Sequence, residues 1–251
     1  MNAILSDVHG NLEAFTAVLN DIKRRDIKCI YNLGDTLGYG PNPIECLDLA
    51  RKMTLPLLGN HDAGVLETPA GFGPAAERAI LWTQGQLRNV GTREEIQRRW
   101  DFLKGLQRSH RNGNTLFVHG SARSPTHEYL FPDDVYNQRK MEAIGAAFQD
   151  LCFCGHTHVP GIFIEEKKDQ WYFIEGKELE GGFSVVGLKA ICNVGSVGQP
   201  RDQDPRASYM VFDGEKIWLR RVPYDFESTC KKVHEVKEID GFIGDRLRKG
   251  R

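Results

Sequence analysis

The chain has little that would direct it to a membrane, to nucleic acid or to an oxidising compartment. None of its 251 residues fall in a run approaching the ~20 apolar residues of a bilayer-spanning helix. Its opening residues, Asn2-Ala3-Ile4-Leu5-Ser6-Asp7-Val8-His9, turn polar too early for a secretory leader. Thirty-three Lys and Arg against 34 Asp and Glu leave a net charge of −1, so no global basic field favours long nucleic acid or anionic lipid. Six cysteines are present without a Cys-x-x-Cys pair or a disulfide-like spacing. Several lie inside apolar runs, where a thiol acts as a small hydrophobe. A reducing, cytoplasmic setting is expected, with a zinc site on Cys152 and Cys154 as the alternative use of the thiols. The one dense basic run, Arg246, Arg248, Lys249 and Arg251, reads as a solvated helix end. No repeat, low-complexity segment or linker divides the chain, and a single domain over residues 1–251 is expected.

What is present is a rhythm. Ala3–Leu5, Cys29–Leu33 and Leu55–Leu58 are short apolar runs, each followed by a polar loop. After the first, Leu12, Phe15, Val18, Leu19 and Ile22 recur at helical spacing with Asn11 near the start, and Pro41–Lys52 is a second helical segment. Strand, loop and helix in alternation argue for βαβ units and a parallel sheet covered on both faces. Residues 63–114 break the rhythm with a Gly- and Pro-rich loop and two helical patterns, near 75–87 and 93–106, which read as an insertion covering one side of the strand ends. Thr115–Val118 and Leu151–Cys154 are further strands, separated by a helix expected over 133–148 and capped by Asp133 or Asp134. From residue 160 short β-rich runs follow one another, with Asp213-Gly214 as a hairpin turn, and the chain closes in one or two helices from about Phe226. This half is expected to form a second, largely antiparallel sheet packed on the first. The fold class is α/β: two stacked mixed β-sheets, a β-sandwich flanked by helices.

Chemistry-bearing residues sit at the strand ends. Asp7 and His9 follow the first strand, Asp35 the second, Asn60 and His61 the third, His119 the fourth, and His156 and His158 the fifth. In open α/β sheets, sites form beyond the carboxyl ends of the strands. Carboxylate oxygen, amide oxygen and imidazole nitrogen suit hard or borderline divalent metals. Two such ions roughly 3.5–4 Å apart can polarise a phosphate ester and generate a nucleophile. Asp35, in the middle of the series, is the candidate for a carboxylate shared between them. If the backbone is extended, the i, i+2 pairs Asp7/His9 and His156/His158 each point to one side. Singly, each has a plain structural explanation: surface hydrogen bonding for Asp7-x-His9, a structural role for His119. The whole ordered set is what argues for metal.

Asp7-x-His9, Gly34-Asp35, Gly59-Asn60-His61-Asp62, Val118-His119 and Gly155-His156-x-His158 resemble the five ordered motifs of the calcineurin-like metallophosphoesterases. Asn193-Val194-Gly195-Ser196 further resembles the late Gly-Ser loop of bacterial and archaeal single-domain members. The resemblance implies an αββα fold and a metal-dependent phosphoesterase acting on small molecules or nucleotides through a hydroxide that bridges two metals. It implies Asp7, His9 and His158 on one metal, Asn60, His119 and His156 on the other, Asp35 between them, and His61 unligated and facing the leaving group, where as imidazolium it could protonate the alkoxide. Manganese is the favoured metal, with iron, zinc, nickel or cobalt as alternatives.

The sequence departs from the protein serine/threonine phosphatase branch of that family. There an acid three residues after the bridging Asp pairs with the catalytic histidine; here that position is Gly38, which leaves the partner of His61 open. Asp62 is adjacent, but neighbours tend to point apart. Arg201 and Arg123 are candidate phosphate contacts; Arg201 is equally placed for an ion pair with Asp202 or Asp204. Tyr39 either stacks on substrate or packs on the rim. The alternatives to a phosphatase or phosphodiesterase are a dinucleoside polyphosphate or protein phosphatase, a catalytically weak regulatory binding module on the same fold, and a structural protein with a metal clip. The expected partner is a phosphorylated small molecule or nucleotide, not long nucleic acid and not a membrane; the sequence leaves oligomeric state open.

Overall fold

The computed structural model describes residues 1–251. β1 (Asn2–Leu5) leads to α1 (Leu12–Arg24), β2 (Cys29–Asn32), α2 (Pro43–Ala50) and β3 (Leu55–Pro56). Three helices follow, α3 (Asn60–Leu66), α4 (Pro74–Asn89) and α5 (Arg93–Gly105), then β4 (Ser109–Asn112) and β5 (Thr115–Val118). α6 (Gln138–Gly145) precedes β6 (Leu151–Cys154), β7 (Gly161–Lys167), β8 (Gln170–Glu175), β9 (Phe183–Ser184), β10 (Ala190–Asn193), β11 (Ala207–Phe212) and β12 (Lys216–Val222). The chain ends in α7 (Phe226–Glu235), α8 (Gly241–Asp245) and a 3-10 turn at Arg246–Lys249.

Two six-stranded mixed sheets result, ordered β3-β2-β1-β11-β12-β9 and β4-β5-β6-β10-β7-β8. β1, β2 and β3 run parallel in the first, and β5, β6 and β10 in the second. The expected division of the chain into two sheets by halves therefore gives way to an exchange. β5 and β6 leave the first sheet to found the second, and β11 returns to pair antiparallel with β1. The reason lies in which strands alternate. Ile4 of β1, Phe153 of β6, Cys192 of β10 and Met210 of β11 all meet in the space between the sheets. Their neighbours Ala3 and Leu5, with Tyr209 and Val211, bury instead against Phe15, Val18 and Ile22 of α1. Cys152, Cys154 and Ile191 bury against Met141 and Ile144 of α6. Each central strand thus has two apolar faces, one for the sandwich and one for a helical layer. Phe153 lies between Phe117, stacked at 5.4 Å, and Phe212 at 5.3 Å.

Local signals decide the helix ends. The Asn11 side chain accepts from the Ala14 N–H at 3.1 Å, capping α1, and Lys23 and Arg24 complement its last turn. The helix expected over 133–148 is instead a 3-10 turn at Pro132–Tyr136 followed by α6. Asp134 caps the turn, but Asn137 accepts from the Lys140 N–H at 3.2 Å and starts a separate helix there. Asp213-Gly214 does turn β11 into β12. All six cysteines are unpaired; Cys152 and Cys154 pack inside the α6 cluster, and no cysteine belongs to a group of ligating side chains close enough together to hold an ion. No helix is long and apolar enough to cross a membrane.

Of the segment 63–114, α4 and α5 are helical, but β4 at its end is a strand that pairs with β5 in the second sheet, so the expected insertion is not helical throughout. Leu37, Leu47, Val65, Ile80, Leu87 and Leu103 form their own cluster, which joins α4 and α5 to α2 and the loop after β2. Arg99 of α5 reaches Asp48 of α2 at 2.6 Å and the Val90 carbonyl at 2.8 Å. From the preceding loop Phe72 meets the His61 ring edge-on at 5.1 Å.

Candidate metal centre

The carboxyl ends of both sets of parallel strands open onto one place. Main-chain bonds zip the loops together: His9 N–H to the Asp35 carbonyl at 2.9 Å, Gly155 N–H to the His119 carbonyl at 3.0 Å, and Gly198 N–H to the Asp7 carbonyl at 2.9 Å. Asp7 follows β1, Asp35 β2, Asn60 opens α3 after β3, His119 closes β5, and His156 and His158 follow β6. All are buried.

The backbone that aims them is not extended. Asp7, His9, Asp35, His156 and His158 have φ of 57°, 48°, 52°, 66° and 62°. The i, i+2 pairs therefore share a side because two left-handed residues flank one ordinary residue, and the extended-strand reasoning is corrected. Each left-handed non-glycine residue costs about 1–2 kcal/mol, and such strain collects where function requires it. Two glycines make room for this. A Cβ on Gly59 would stand 2.0 Å from Asp35 Oδ1, and one on Gly155 would stand 2.4 Å from Asp7 Oδ2. Both loops can close on the carboxylates only because those positions lack side chains.

Two groups of ligand atoms result. His158 Nε2 lies 3.2 Å and His9 Nε2 3.6 Å from Asp7 Oδ1, and the two ring nitrogens face each other at 3.1 Å. In the other group His119 Nε2 lies 3.1 Å from Asn60 Oδ1, 3.0 Å from His156 Nδ1 and 3.3 Å from Asp35 Oδ2. Asp35 Oδ2 is also 3.7 Å from His9 Nε2, so it looks into both groups. Its other oxygen accepts the His61 N–H at 2.8 Å.

These atoms fit divalent cations. The far nitrogens of three rings donate outward to main-chain carbonyls: His9 Nδ1 to Leu37 at 3.0 Å, His158 Nδ1 to Gln199 at 2.6 Å, and His156 Nε2 to His127 at 3.3 Å. Those bonds place the proton on the outer nitrogen and turn a lone pair inward, as in metal-binding histidines. Inward lone pairs 3.1 Å apart, such as those of His9 and His158, repel unless something positive lies between them. Asp7 Oδ1, fully buried, accepts no hydrogen bond. Burial opposes the charging of Asp7 and Asp35, yet His158 and His119 around the first, and His119 and His61 around the second, hold both below the ordinary carboxylate range. Burial, then Arg201, pushes His158 down to about 3, and burial, then His119, pushes His156 down to about 4. His119 goes the other way: burial lowers it, but Asp35 and Asp7 raise it to about 9. Two ionised carboxylates with the neutral rings of His156 and His158 beside them form a cage that selects positive charge, and His119 is held charged by those same carboxylates.

His61 sits beside this cage. Its ring packs against Tyr39 at 4.5 Å, His9 at 4.8 Å and Phe72, and burial holds its pKa well below the imidazole range. The ring is therefore neutral near pH 7, and what it has to offer is N–H donation rather than the imidazolium form. Its Nδ1 has no partner. Gly38 explains why: a Cβ there would stand 2.3 Å from that nitrogen, so the ring fills the space where an orienting acid would enter. Asp62 is not the substitute. It accepts from the N–H groups of Gly59, Thr36 and Leu37 at 3.1, 3.3 and 3.0 Å and fixes the strand-end loops.

The arginines separate. Arg123 donates to Glu128. Arg201 pairs with neither Asp202 nor Asp204, contrary to its ion-pair reading; those carboxylates hold Arg221 and Arg206. It binds Gln199 Oε1 at 2.6 Å and lies 5.9 Å above the Tyr39 ring, with its main-chain N–H on the His158 carbonyl. Two residues of the late loop, absent from the predicted site set, hold the strand-end loops. Asn193 Nδ2 donates to the Gly155 carbonyl and Thr157 Oγ1, both at 2.8 Å, and Ser196 Oγ donates to the Asp7 carbonyl at 2.8 Å. The late Asn-Val-Gly-Ser loop was the available signal. Tyr129 left none: its ring stacks on His156 at 3.8 Å and continues into Phe131 at 5.6 Å.

Comparison with known proteins gives the family and the fold. The model of the calcineurin-like phosphoesterase superfamily domain matches residues 1–216. An uncharacterised protein of Methanocaldococcus jannaschii is 38% identical over 264 residues, covering 100% of this chain and 98% of that one. A metallophosphoesterase from Sphaerobacter thermophilus is 34% identical, with a TM-score of 0.82 over 100% of this chain and 98% of that structure. A hypothetical protein from Pyrococcus horikoshii, at 17% identity and a TM-score of 0.74 over 100% and 99%, shares the fold. The match over residues 1–216, together with the relative that spans the whole length, shows that this chain belongs to the calcineurin-like phosphoesterase superfamily.

Proposed function

We propose that the chain hydrolyses phosphate esters of small molecules or nucleotides with two divalent cations, manganese before iron, zinc, nickel or cobalt. Asp7, His9 and His158 would hold one and Asn60, His119 and His156 the other, with Asp35 shared. The observation that carries this is the pair of inward-facing donor groups on either side of Asp35 Oδ2, 3.3 Å from His119 Nε2 and 3.7 Å from His9 Nε2. Such cations supply charge to a phosphoryl oxygen and make water nucleophilic near neutral pH. The protein's own part is to present lone pairs without reorganisation, to keep the donors buried, and to set the neutral His61 ring where an N–H can reach the departing oxygen. Six unpaired cysteines support a cytoplasmic setting.

Aromatic or nucleoside esters are favoured within this class. Tyr129 and Phe131, 44% and 48% exposed, extend the stack from His156 towards solvent and offer a flat face beside the donors. Stacking a substrate ring there is worth about 0.5–1.5 kcal/mol, or about two- to tenfold in kcat/KM. The test is hydrolysis of p-nitrophenyl phosphate, bis-p-nitrophenyl phosphate, adenosine 5′-monophosphate and glycerol phosphate with added manganese. Activity should vanish in excess EDTA and return with manganese, and Tyr129→Ala should erase the preference for ring-bearing esters. Silence on all four esters would favour the regulatory binding module.

A further inference from the structure

A histidine that must present one nitrogen is ordinarily held by a hydrogen bond on the other. His61 has no such bond: Nδ1 is buried without a partner, and Gly38 has no side chain to supply one. Three rings box it in instead. Tyr39 lies against it at 4.5 Å, tilted by 48°, while His9 at 4.8 Å and Phe72 at 5.1 Å meet it edge-on at 77° and 68°. A ring nitrogen of His61 lies within 4.8 Å of ligand atoms of His9 and Asp35, so the boxed ring faces the donor groups. With no acceptor to hold a proton at Nδ1, the neutral ring carries it on Nε2.

Two of these walls come from different parts of the fold, and each is fastened separately. Tyr39 has φ of 50°, a conformation that bulky residues rarely adopt, beside Gly38 at 91°. The Gly40 N–H donates to the His9 carbonyl at 2.8 Å, and a Cβ on Gly40 would stand 2.2 Å from that oxygen, so the turn lies flush on the His9 loop. Strain of this kind collects where a side chain must be aimed. Phe72 comes from the loop before α4. Its ring covers Gly64, where a Cβ would stand 3.0 Å from it, and it packs on the cluster that contains Leu37, Val65 and Ile80. Gly64 lies three residues after His61 on α3, so both stand on the face that Phe72 closes.

We propose that Tyr39 and Phe72 are positioning residues, which orient His61 by ring packing in place of the absent acid so that its N–H points at the departing oxygen. This rests on the phosphoesterase reading and gives the segment 63–114 a part in turnover through Phe72. Phe72 is the cleaner probe, because the Tyr39 ring also touches His9, at 4.8 Å, and His9 belongs to the proposed metal ligands.

The test measures kcat and KM for phenyl phosphate and p-nitrophenyl phosphate on the manganese-loaded protein. A misplacement of about 1 Å costs up to about a hundredfold in rate, so Phe72→Ala is expected to cut kcat on phenyl phosphate by about ten- to a hundredfold, with KM and metal per chain as in the wild type. The fall should be smaller on p-nitrophenyl phosphate, whose less basic departing oxygen gains less from a hydrogen-bond donor. Phe72→Tyr and Tyr39→Phe should lose far less than the alanine variants, because the rings make the contacts. In a His61→Ala background Phe72→Ala should cost nothing further, as for residues that act as a unit. In the metal-free protein the His61 ring should give one sharp set of NMR signals in the wild type and a doubled or broadened set in Phe72→Ala. If Phe72→Ala does not fold, Phe72→Leu keeps the apolar anchor and removes the flat ring. A kcat that Phe72→Ala and Phe72→Leu leave unchanged, a loss equal for the two esters, a loss that adds to that of His61→Ala, or a single sharp His61 set in Phe72→Ala overturns the positioning role. Hydrolysis of neither ester by the wild type overturns the phosphoesterase reading, and the positioning role with it.

Discussion

Asp35→Asn is expected to lose hydrolysis by at least about a thousandfold and to retain no more than one tightly held metal per chain. Two divalent ions 3.5–4 Å apart repel by roughly 15–20 kcal/mol at an effective dielectric of about 20. Asp35 is the one carboxylate that faces both donor groups, with Oδ2 3.3 Å from His119 Nε2 and 3.7 Å from His9 Nε2. Asparagine keeps the shape and the bond from the His61 N–H but removes the charge that offsets that repulsion. Asp7, the other buried carboxylate, faces His158 Nε2 at 3.2 Å and lies 4.0 Å from His119 Nε2, so it serves mainly one side. Metal per chain after gel filtration, read by mass spectrometry alongside turnover, checks this. Two retained metals in Asp35→Asn would remove its shared role.

His61→Ala is expected to cut turnover by about a hundred- to a thousandfold, the range for losing one hydrogen-bond donor to a developing oxyanion, with metal content as in the wild type. The ring is packed by Tyr39, His9 and Phe72, and its main-chain N–H is what Asp35 uses, so the side chain can be removed without cutting that bond. A parallel fall in metal would make His61 a ligand. The test discriminates, because His9, Asp35 and His61 also lie close enough together to hold an ion.

The convergence of these Asp, Asn and His residues was legible in the sequence because α/β topology restricts where strand ends stand. Asp7, Asp35, Asn60 and His119 each come just after a short apolar run of three to five residues, and parallel strands bring such ends together. The partition into sheets was not legible. Cys29–Asn32 and Leu151–Cys154 have similar textures, and only long-range pairing, with β11 inserted beside β1, separates them. The left-handed backbone at five of the donors was hidden for another reason. Asp and His tolerate that region without glycine, so their conformation leaves no compositional trace. Gly38 could be seen to depart from the protein phosphatase pattern, but its reason is a steric contact with His61 across the loop. Which carboxylate takes which arginine is a matter of three-dimensional competition. Arg201 stands between Asp202 and Gln199 in reach, and Arg221 of β12 wins the aspartate.

The most direct measurement is anomalous X-ray scattering from crystals grown with manganese. Two peaks are predicted, one among Asp7, His9 and His158 and one among Asn60, His119 and His156, with Asp35 touching both. A single peak, or peaks that Asp35 does not join, would contradict the shared-carboxylate centre on which the proposed chemistry rests.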